Sequence, residues 1–412
     1  MAKITYLTLV ERHLIKKDNP LFTIFDDLLF KAKNLYNFSN YIQRQLFFTT
    51  GTVNSFNKLN TNARDRVDNQ DYRALPAWTS NCVVKTLSDN WSSFFKAIKK
   101  YRKNPSKFTG KPCIPGYLPK NGRFTVTFSN QQCKIVDGVV KFPEALNGIK
   151  VKTKVDQGLQ QVRLVSRGSS IILEVVYRKE IPDKSSISEE SLISLDLGLD
   201  NFATIINTKD LKNPLVLNGK GLKSYNKRYN KRLAHFRSVA KRMNCLDFTN
   251  RMRTLTDKRN RYMDNFMHQA SSYVIKLAEE HEISSIIIGY NKDWKRNSKL
   301  SKVVNQFFIQ IPYKRFIDQI VYKAQLRGIN VLITEESYTS GTSFVDNEFP
   351  TKKCYNKSRR ITRGLFKSDN GTLINADVNA AYQIVKKVFP NLALAKDGIV
   401  GVGLHPVRVN VV

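Results

Sequence analysis

Acidic residues are scarce in this chain: 34 Asp and Glu face 68 Lys and Arg over 412 residues, leaving a formal charge of +34. Such a surplus repels itself in a compact state, which argues against a free metabolic enzyme and for a polyanionic partner, nucleic acid above all. Cysteine is sparse as well. The five, at 82, 113, 133, 245 and 354, include no Cys-x-x-Cys pair, so no metal ribbon is visible and a reducing compartment fits better than a disulfide framework. No run of about 18 apolar residues occurs, and Met1 to Tyr6 carries no basic region followed by an apolar stretch. A soluble, cytoplasmic protein with no membrane partner is therefore expected. Gly-x-x-x-x-Gly-Lys and Gly-x-Gly-x-x-Gly are both missing, which removes any sequence handle on NTP hydrolysis or NAD chemistry. The five histidines are dispersed, and none pairs with a credible Ser or Cys nucleophile.

What is present is apolar material for a core, 41% of the chain, which excludes a disordered basic tail and suits two or three domains. Ile4 to His13 alternates as a strand, Asp26 to Phe47 and Ser80 to Tyr101 have helical spacing, and Val83, Leu87, Trp91, Phe94, Phe95 and Ile98 read as a core stripe. Pro and Gly interrupt the basic connector from Asn104 to Arg123, and Phe124 to Tyr177 is β-rich. After a polar boundary near Ile181 to Ser186, Leu192 to Leu197 and Phe202 to Asn207 make a hairpin. Helices near 225–244 and 257–281, a strand at 284–288, a helix at 313–326, a strand at 329–334 and a last helix from Asp377 follow. That order is expected of an RNase H-like α/β core within an α+β multidomain chain.

Asp196 closes the apolar strand Leu195-Asp196-Leu197, where an uncompensated charge costs several kcal/mol, roughly, of desolvation. Asp377 stands where a strand or turn enters the last helix, and Glu335 and Glu336 end the strand begun at Ile329. Three carboxylates from separate elements can converge on two divalent ions about 3.5–4 Å apart that activate water and stabilise a phosphodiester leaving group. Magnesium or manganese takes such oxygen ligands, whereas no zinc site is expected from ungrouped Cys and His. Taken singly, Asp377 also suits a helix N-cap, and Glu335 and Glu336 suit an exposed strand end.

Basic residues cluster twice. Lys227, Arg228, Lys231, Arg232, Lys241 and Arg242 spread around an acid-free helix, and Arg359, Arg360 and Arg363 crowd a short insert, as suits contacts to phosphate. Trp294, beside Lys295 and Arg296, is placed to stack on an unpaired base or to cover the core. The same basic clusters also suit a merely solvated face.

Ile193-Ser194-Leu195-Asp196-Leu197-Gly198, Pro312-Tyr313 through Tyr322-Lys323-Ala324, Glu336-Ser337-Tyr338-Thr339-Ser340 and Leu373-Ile374-Asn375-Ala376-Asp377-Val378-Asn379 together resemble the TnpB family. These are RNA-guided endonucleases encoded beside insertion-sequence transposases and akin to type V CRISPR effectors. Asn34-Leu35-Tyr36-Asn37 and Asn90-Trp91-Ser92-Ser93-Phe94-Phe95 extend the resemblance to the N-terminal part. It implies an N-terminal wedge β-barrel (1–24 and 123–185) interrupted by a helical recognition region with the basic connector (25–122). A RuvC-type nuclease domain (186–412) with a basic insert around 338–371 follows. It further implies a guide RNA of the omega type, one protein per guide, double-stranded target DNA with an adjacent motif, two Mg2+ or Mn2+ ions and a nucleoid-associated setting in a prokaryotic cell. Asp196 would be the first nuclease aspartate and Asp377 the last.

Two departures follow. The family's second acid ends the strand matching Ile286-Ile287-Ile288, but Gly289 stands there. A long glutamate from the next strand is the expected replacement. Glu336 is favoured because it opens the family-like run, although alternation does not separate it from Glu335. The zinc-ribbon Cys pairs are also missing after Thr339-Ser340, so the insert must be held by packing. A nuclease-inactive, repressor-like RNA-guided binder and a guide-independent structure-selective nuclease are the competing functions. DNA-joining transposition is less attractive, because the resemblance assigns mobilisation to a separate tyrosine-dependent enzyme.

Overall fold

The computed structural model describes residues 5–66, 69–146, 148–244, 248–291, 302–392 and 405–411. Two compact units divide the chain, one of Thr8–Lys179 and one of Met1–Leu7 with Glu180–Val412.

In the Thr8–Lys179 unit, β1 (Tyr6–Ile15) leads into α1 (Leu21–Thr50), which buries Phe25, Leu28, Leu29, Ala32, Leu35 and Tyr36 at helical spacing. Gly51, at φ 72°, ends α1 in the left-handed turn that returns its N–H to the Phe47 carbonyl. After α2 (Phe56–Asp65) and α3 (Gln70–Ala74), α4 (Ala77–Lys103) lays Val83, Val84, Leu87 and Trp91 against the same core. The indole N–H of Trp91 donates to Asn40 at 3.1 Å, so this large buried side chain brings its polar atom in satisfied. The Pro-rich connector has no strand partner. Instead α1 holds it: Asn37 exchanges two bonds with the Leu118 backbone (2.8 and 3.0 Å), Arg44 donates to the Pro115 carbonyl, and Arg123 pairs with Asp26.

The β-rich segment makes two sheets. With β2 (Val126–Ser129), β3 (Lys134–Val136), β4 (Val139–Lys141), β5 (Lys150–Lys152), β6 (Leu159–Arg167) and β7 (Ser170–Glu180), the orders are β1-β7-β6-β2 and β3-β4-β5.

The larger unit is built on a six-stranded sheet. A meander of β8 (Leu192–Leu197), β9 (Asn201–Asn207) and β10 (Asp210–Asn218) is followed by α5 (Lys220–Arg242) and α6 (Asn250–Glu280). Next come β11 (Ser285–Gly289), α7 (Lys302–Gln310), α8 (Tyr313–Gln325) and β12 (Asn330–Thr334). The insert supplies β13 (Arg360–Thr362), β14 (Leu365–Lys367) and β15 (Leu373–Asn375), then α9 (Ala376–Val388) and β16 (Val407–Val409). The sheet order is β12-β11-β8-β9-β10-β16, with β8, β9 and β10 antiparallel and β11 and β12 parallel to β8.

Alternation divides the two faces. Ile193, Leu195 and Leu197 of β8 with Ile286 and Ile288 of β11 pack against α6 and α8, whereas Leu192 and Ile287 pack against Ile384 and Val385 of α9. Ser194 confirms the parity by donating to the Ala381 carbonyl of α9 at 2.9 Å. The even-numbered β8 positions and the odd-numbered β11 positions therefore look toward α9.

The hairpin at β8 and β9 forms as its pattern predicts, with Leu195 opposite Ile205. Strand β10 is an addition: Lys212-Asn213-Pro214 breaks its alternation, and the pairing with β9 is irregular between Asp210 and Leu215, where a proline is tolerated. Helix α6 begins seven residues earlier than its apolar period suggests, because Thr249 caps it by accepting from Met252 N–H. The insert closes over Phe344, Phe366, Ile374 and Tyr382, with the Phe344 and Tyr382 rings stacked at 4.6 Å. No described helix is long and apolar enough to cross a membrane.

Candidate active site

Asp196 is the third even-numbered residue of β8 and so projects on the α9 side of the sheet. Leu195 pairs with Ile288 of β11, and Gly289 pairs with Thr334 of β12, so the next rung sets Asp196 beside Gly289. Any side chain at 289 would point into the same space. A Cβ built there would lie 2.5 Å from Ile384 Cδ1 and 3.2 Å from Glu336 Oε2. Glycine leaves open the volume that the Glu336 carboxylate enters from the neighbouring strand. Asn291 fixes this entry by accepting the Glu336 backbone N–H at 3.1 Å.

Asp377 arrives from the other direction, in the first turn of α9. Asn375, not Asp377, is the cap: its side chain accepts from the N–H groups of Asp377 and Val378. The Asp377 carboxylate is thereby available to the cleft. Asn201 donates to its Oδ2 at 2.7 Å, and Arg360 reaches its Oδ1 at 3.2 Å. Beneath, the Tyr313 hydroxyl donates to the Gly198 carbonyl at 2.7 Å and braces the turn that follows Asp196.

Burial and neighbouring charge act on two of the acids. Burial pushes the Asp196 carboxyl well above the ordinary aspartate range, the charges of Glu336 and Asp377 push it further, and Arg360 opposes them. Burial likewise raises Glu336 to about 7, against a smaller opposing effect of Lys387. Its Oε2 is buried without a hydrogen-bond partner, an arrangement costly for a carboxylate and relieved by a cation. Asp200 differs: burial raises its carboxyl, but the Lys223 hydrogen bond and the Arg363 charge more than offset this and hold it below the usual range.

The group sits in a cleft of about 1650 Å³ that also takes in Glu335, Lys314, Arg360, Arg363, Tyr338 and Tyr355. As they stand, no three His, Cys, Asp or Glu side chains among the described residues close into a metal-holding cluster. Asp377 is engaged by Asn201 and Arg360 instead. The donor set still fits a hard divalent cation, since it offers carboxylate oxygens alone, one of them buried and unsatisfied.

Of the sequence-derived candidates, Asp196, Glu336 and Asp377 line one cleft without closing into a cluster. Glu335 is exposed and accepts from Ser337. Lys227, Arg228, Lys231, Arg232, Lys241 and Arg242 are all exposed on α5. Arg360 and Arg363 reach into the cleft, but Arg359 is taken up by Glu348 and Asp369, its side chain only 12% exposed, which fits a fastening of the insert rather than an open phosphate contact. Trp294, Lys295 and Arg296 lie outside the described residues. Asn201, Asn291 and Tyr313 carry no sequence signal of a site role beyond a turn-forming asparagine.

Residues 175–295 match the family model described as "Probable transposase" (OrfB_IS605), and residues 313–384 match "Cas12f1-like, TNB domain". These matches are consistent with a TnpB-type protein. Among solved structures, this chain is similar to that of a Cas12f1–sgRNA–target DNA complex, at 13% identity and TM-score 0.35, covering 92% of this chain and 99% of that one. It is similar to CasPhi-2 (Cas12j) bound to crRNA at 10% identity and TM-score 0.39, covering 96% and 98%. Likenesses this loose carry no further argument. A comparison with curated proteins gives no match.

Proposed function

We propose that this chain is a TnpB-type, RNA-guided, divalent-metal-dependent DNA endonuclease, with Asp196, Glu336 and Asp377 as the residues that would hold Mg2+ or Mn2+. The observation that carries the reading is the buried, unpartnered Glu336 Oε2 entering the space left by Gly289 beside Asp196. The strand order, an antiparallel meander extended by two parallel strands, supports an RNase H-like, RuvC-type core for this unit. When bound, a pair of divalent ions would supply an activated water and stabilise the leaving oxygen of a phosphodiester.

The chain's own residues do the rest. Arg360, Arg363 and Lys314 line the cleft, paired with Asp377, Asp200 and Asp318, and would exchange those partners for a phosphate backbone. Asn201 orients Asp377, Asn291 orients the Glu336 backbone, and Tyr313 steadies the turn at Gly198. The exposed basic side chains of α5 suit backbone contacts to guide RNA, and the helices and sheets of the Thr8–Lys179 unit suit the recognition and wedge roles.

Plasmid cleavage by the purified protein with its copurified guide RNA and magnesium tests the reading. Cutting at the guide-matched target, abolished in Asp196→Ala with RNA binding retained, is expected. Target occupancy without strand scission would instead establish a nuclease-inactive binder. Cutting that survives stringent RNA removal would establish a guide-independent nuclease.

A further inference from the structure

Tyr338 adopts φ 70°, a left-handed backbone that a bulky aromatic residue rarely accepts. The turn around it maintains this conformation. Thr339 returns both its N–H and its hydroxyl to the Glu336 carbonyl, and the Tyr338 carbonyl accepts from the Thr342 hydroxyl at 3.0 Å. Thr339 and Thr342 are themselves buried. The result fixes the aromatic side chain two residues from Glu336 while leaving it 40% exposed.

A second ring stands beside it. Tyr355, 38% exposed, meets Tyr338 edge to face at 5.8 Å, and both line the carboxylate cleft. Gly341 makes that placement possible: a Cβ there would come within 2.5 Å of Tyr355 Cε2. The Gly341 carbonyl also accepts the Asn356 N–H at 2.9 Å, tying the segment that carries Tyr355 to the turn that carries Tyr338. The two rings together leave an exposed aromatic patch on the wall of the cleft. Lys314, Arg360 and Arg363 line the same cleft, each paired with a carboxylate of the protein (Asp318, Asp377 and Asp200), and a phosphate backbone beside the rings would compete for those cations.

We propose that Tyr338 and Tyr355 form a stacking platform for an unpaired base of single-stranded DNA, setting the adjoining phosphate against the Asp196, Glu336 and Asp377 group. The proposal deepens, and rests on, the nuclease reading above. A base paired within a duplex has its faces covered by its neighbours, so the platform favours an unpaired strand. Tyr338 and Tyr355 are positioning residues: they hold the strand and do no bond-making.

The test uses the full chain with its guide RNA, in EDTA to hold cleavage off, and a single-stranded oligodeoxynucleotide carrying one 2-aminopurine, scanned along its length. At one position the wild type and Tyr338→Phe should quench the fluorophore on binding. Tyr338→Ala and Tyr355→Ala should not, and their affinity should fall about tenfold, as expected for one lost base stack. With magnesium, KM for the single-stranded substrate should rise in those variants with little change in kcat. Tyr338→Gly serves where alanine disturbs folding, because it removes the ring and relieves the left-handed strain; it should melt no lower than wild type yet lose quenching.

Quenching in the Asp196→Ala variant separates the two claims. If that quenching persists while no protein cuts, the nuclease reading fails and the platform stands. If the wild type cuts but Tyr338→Ala and Tyr338→Gly bind, quench and cleave like wild type, the platform is refuted. Equal affinity for an oligonucleotide abasic at the quenched position refutes it too, as does equal affinity for a duplex of the same sequence.

Discussion

Buried carboxylates that repel one another make the metal-free protein sensitive to pH. Glu336 is raised from 4.5 to about 7 by burial, so the folded state holds a proton that the unfolded chain has already released. For a group raised in the fold, the favourable contribution is complete below the unfolded value and disappears as pH climbs through the folded one. The interval from 4.5 to about 7, at about 1.4 kcal/mol per pH unit, amounts to about 3 kcal/mol. In a unit of this size that corresponds to roughly 6–12 °C in melting temperature. Asp196 is raised as well and acts in the same direction. The assay is a pair of melts in EDTA, at pH 5 and pH 8, for wild type and Glu336→Gln. Wild type should lose more stability between the two pH values than the variant, by on the order of 3 kcal/mol. Comparing each protein with itself removes the packing cost of the amide. Magnesium at pH 8 should recover about 2–3 kcal/mol for wild type at a hundredfold excess over its dissociation constant, and little for the variant. Identical pH dependence in the two proteins would refute the burial and repulsion argument.

Three further outcomes follow from the geometry. Asp196→Ala and Asp377→Ala should each lower cleavage by roughly 10²-fold or more in a guided plasmid assay, while Glu335→Ala, whose carboxylate lies outside the trio, should stay within severalfold of wild type. Gly289→Ala drives a methyl against Ile384 and the Glu336 carboxylate, and urea melts should show a loss of about 1–3 kcal/mol together with weakened cutting. Replacing Lys227, Arg228, Lys231 and Arg232 with alanine should flatten the dependence of log K on log salt for guide RNA by up to about 3, with melting temperature nearly unchanged.

Alternation and turn chemistry made the β8 and β9 hairpin legible, and Asp196 stood out because a carboxylate at the end of an apolar strand asks for compensation. Glu335 and Glu336 were inseparable on the same grounds, since both fall beyond Thr334, where β12 ends and period two no longer assigns a face. What distinguishes them is the gap at Gly289 and the grip of Asn291, both matters of sheet register. Asn375 took the capping role that Asp377 also suited, because Asx side chains reach the N–H groups two and three residues on. Arg359 and Arg360 read alike as neighbours in a basic run, yet one is enclosed by Glu348 and Asp369 while the other meets Asp377. Pairing across long chain separations carries no local signal. The strain at Tyr338 is equally silent in the residue string, where it looks like an ordinary aromatic beside two hydroxyl residues.

Because the Glu336 carboxylate fills the room that residue 289 declines, the two positions cannot change independently. An acid acquired at 289 while Glu336 stays would crowd two like charges into one volume. Losing Glu336 first would leave a hole beside Asp196 and take away a carboxylate that would help hold a cation. Transfer of the acid between strands therefore requires both positions to move together, and a relative bearing its acid on β11 should carry a smaller or neutral residue where Glu336 stands.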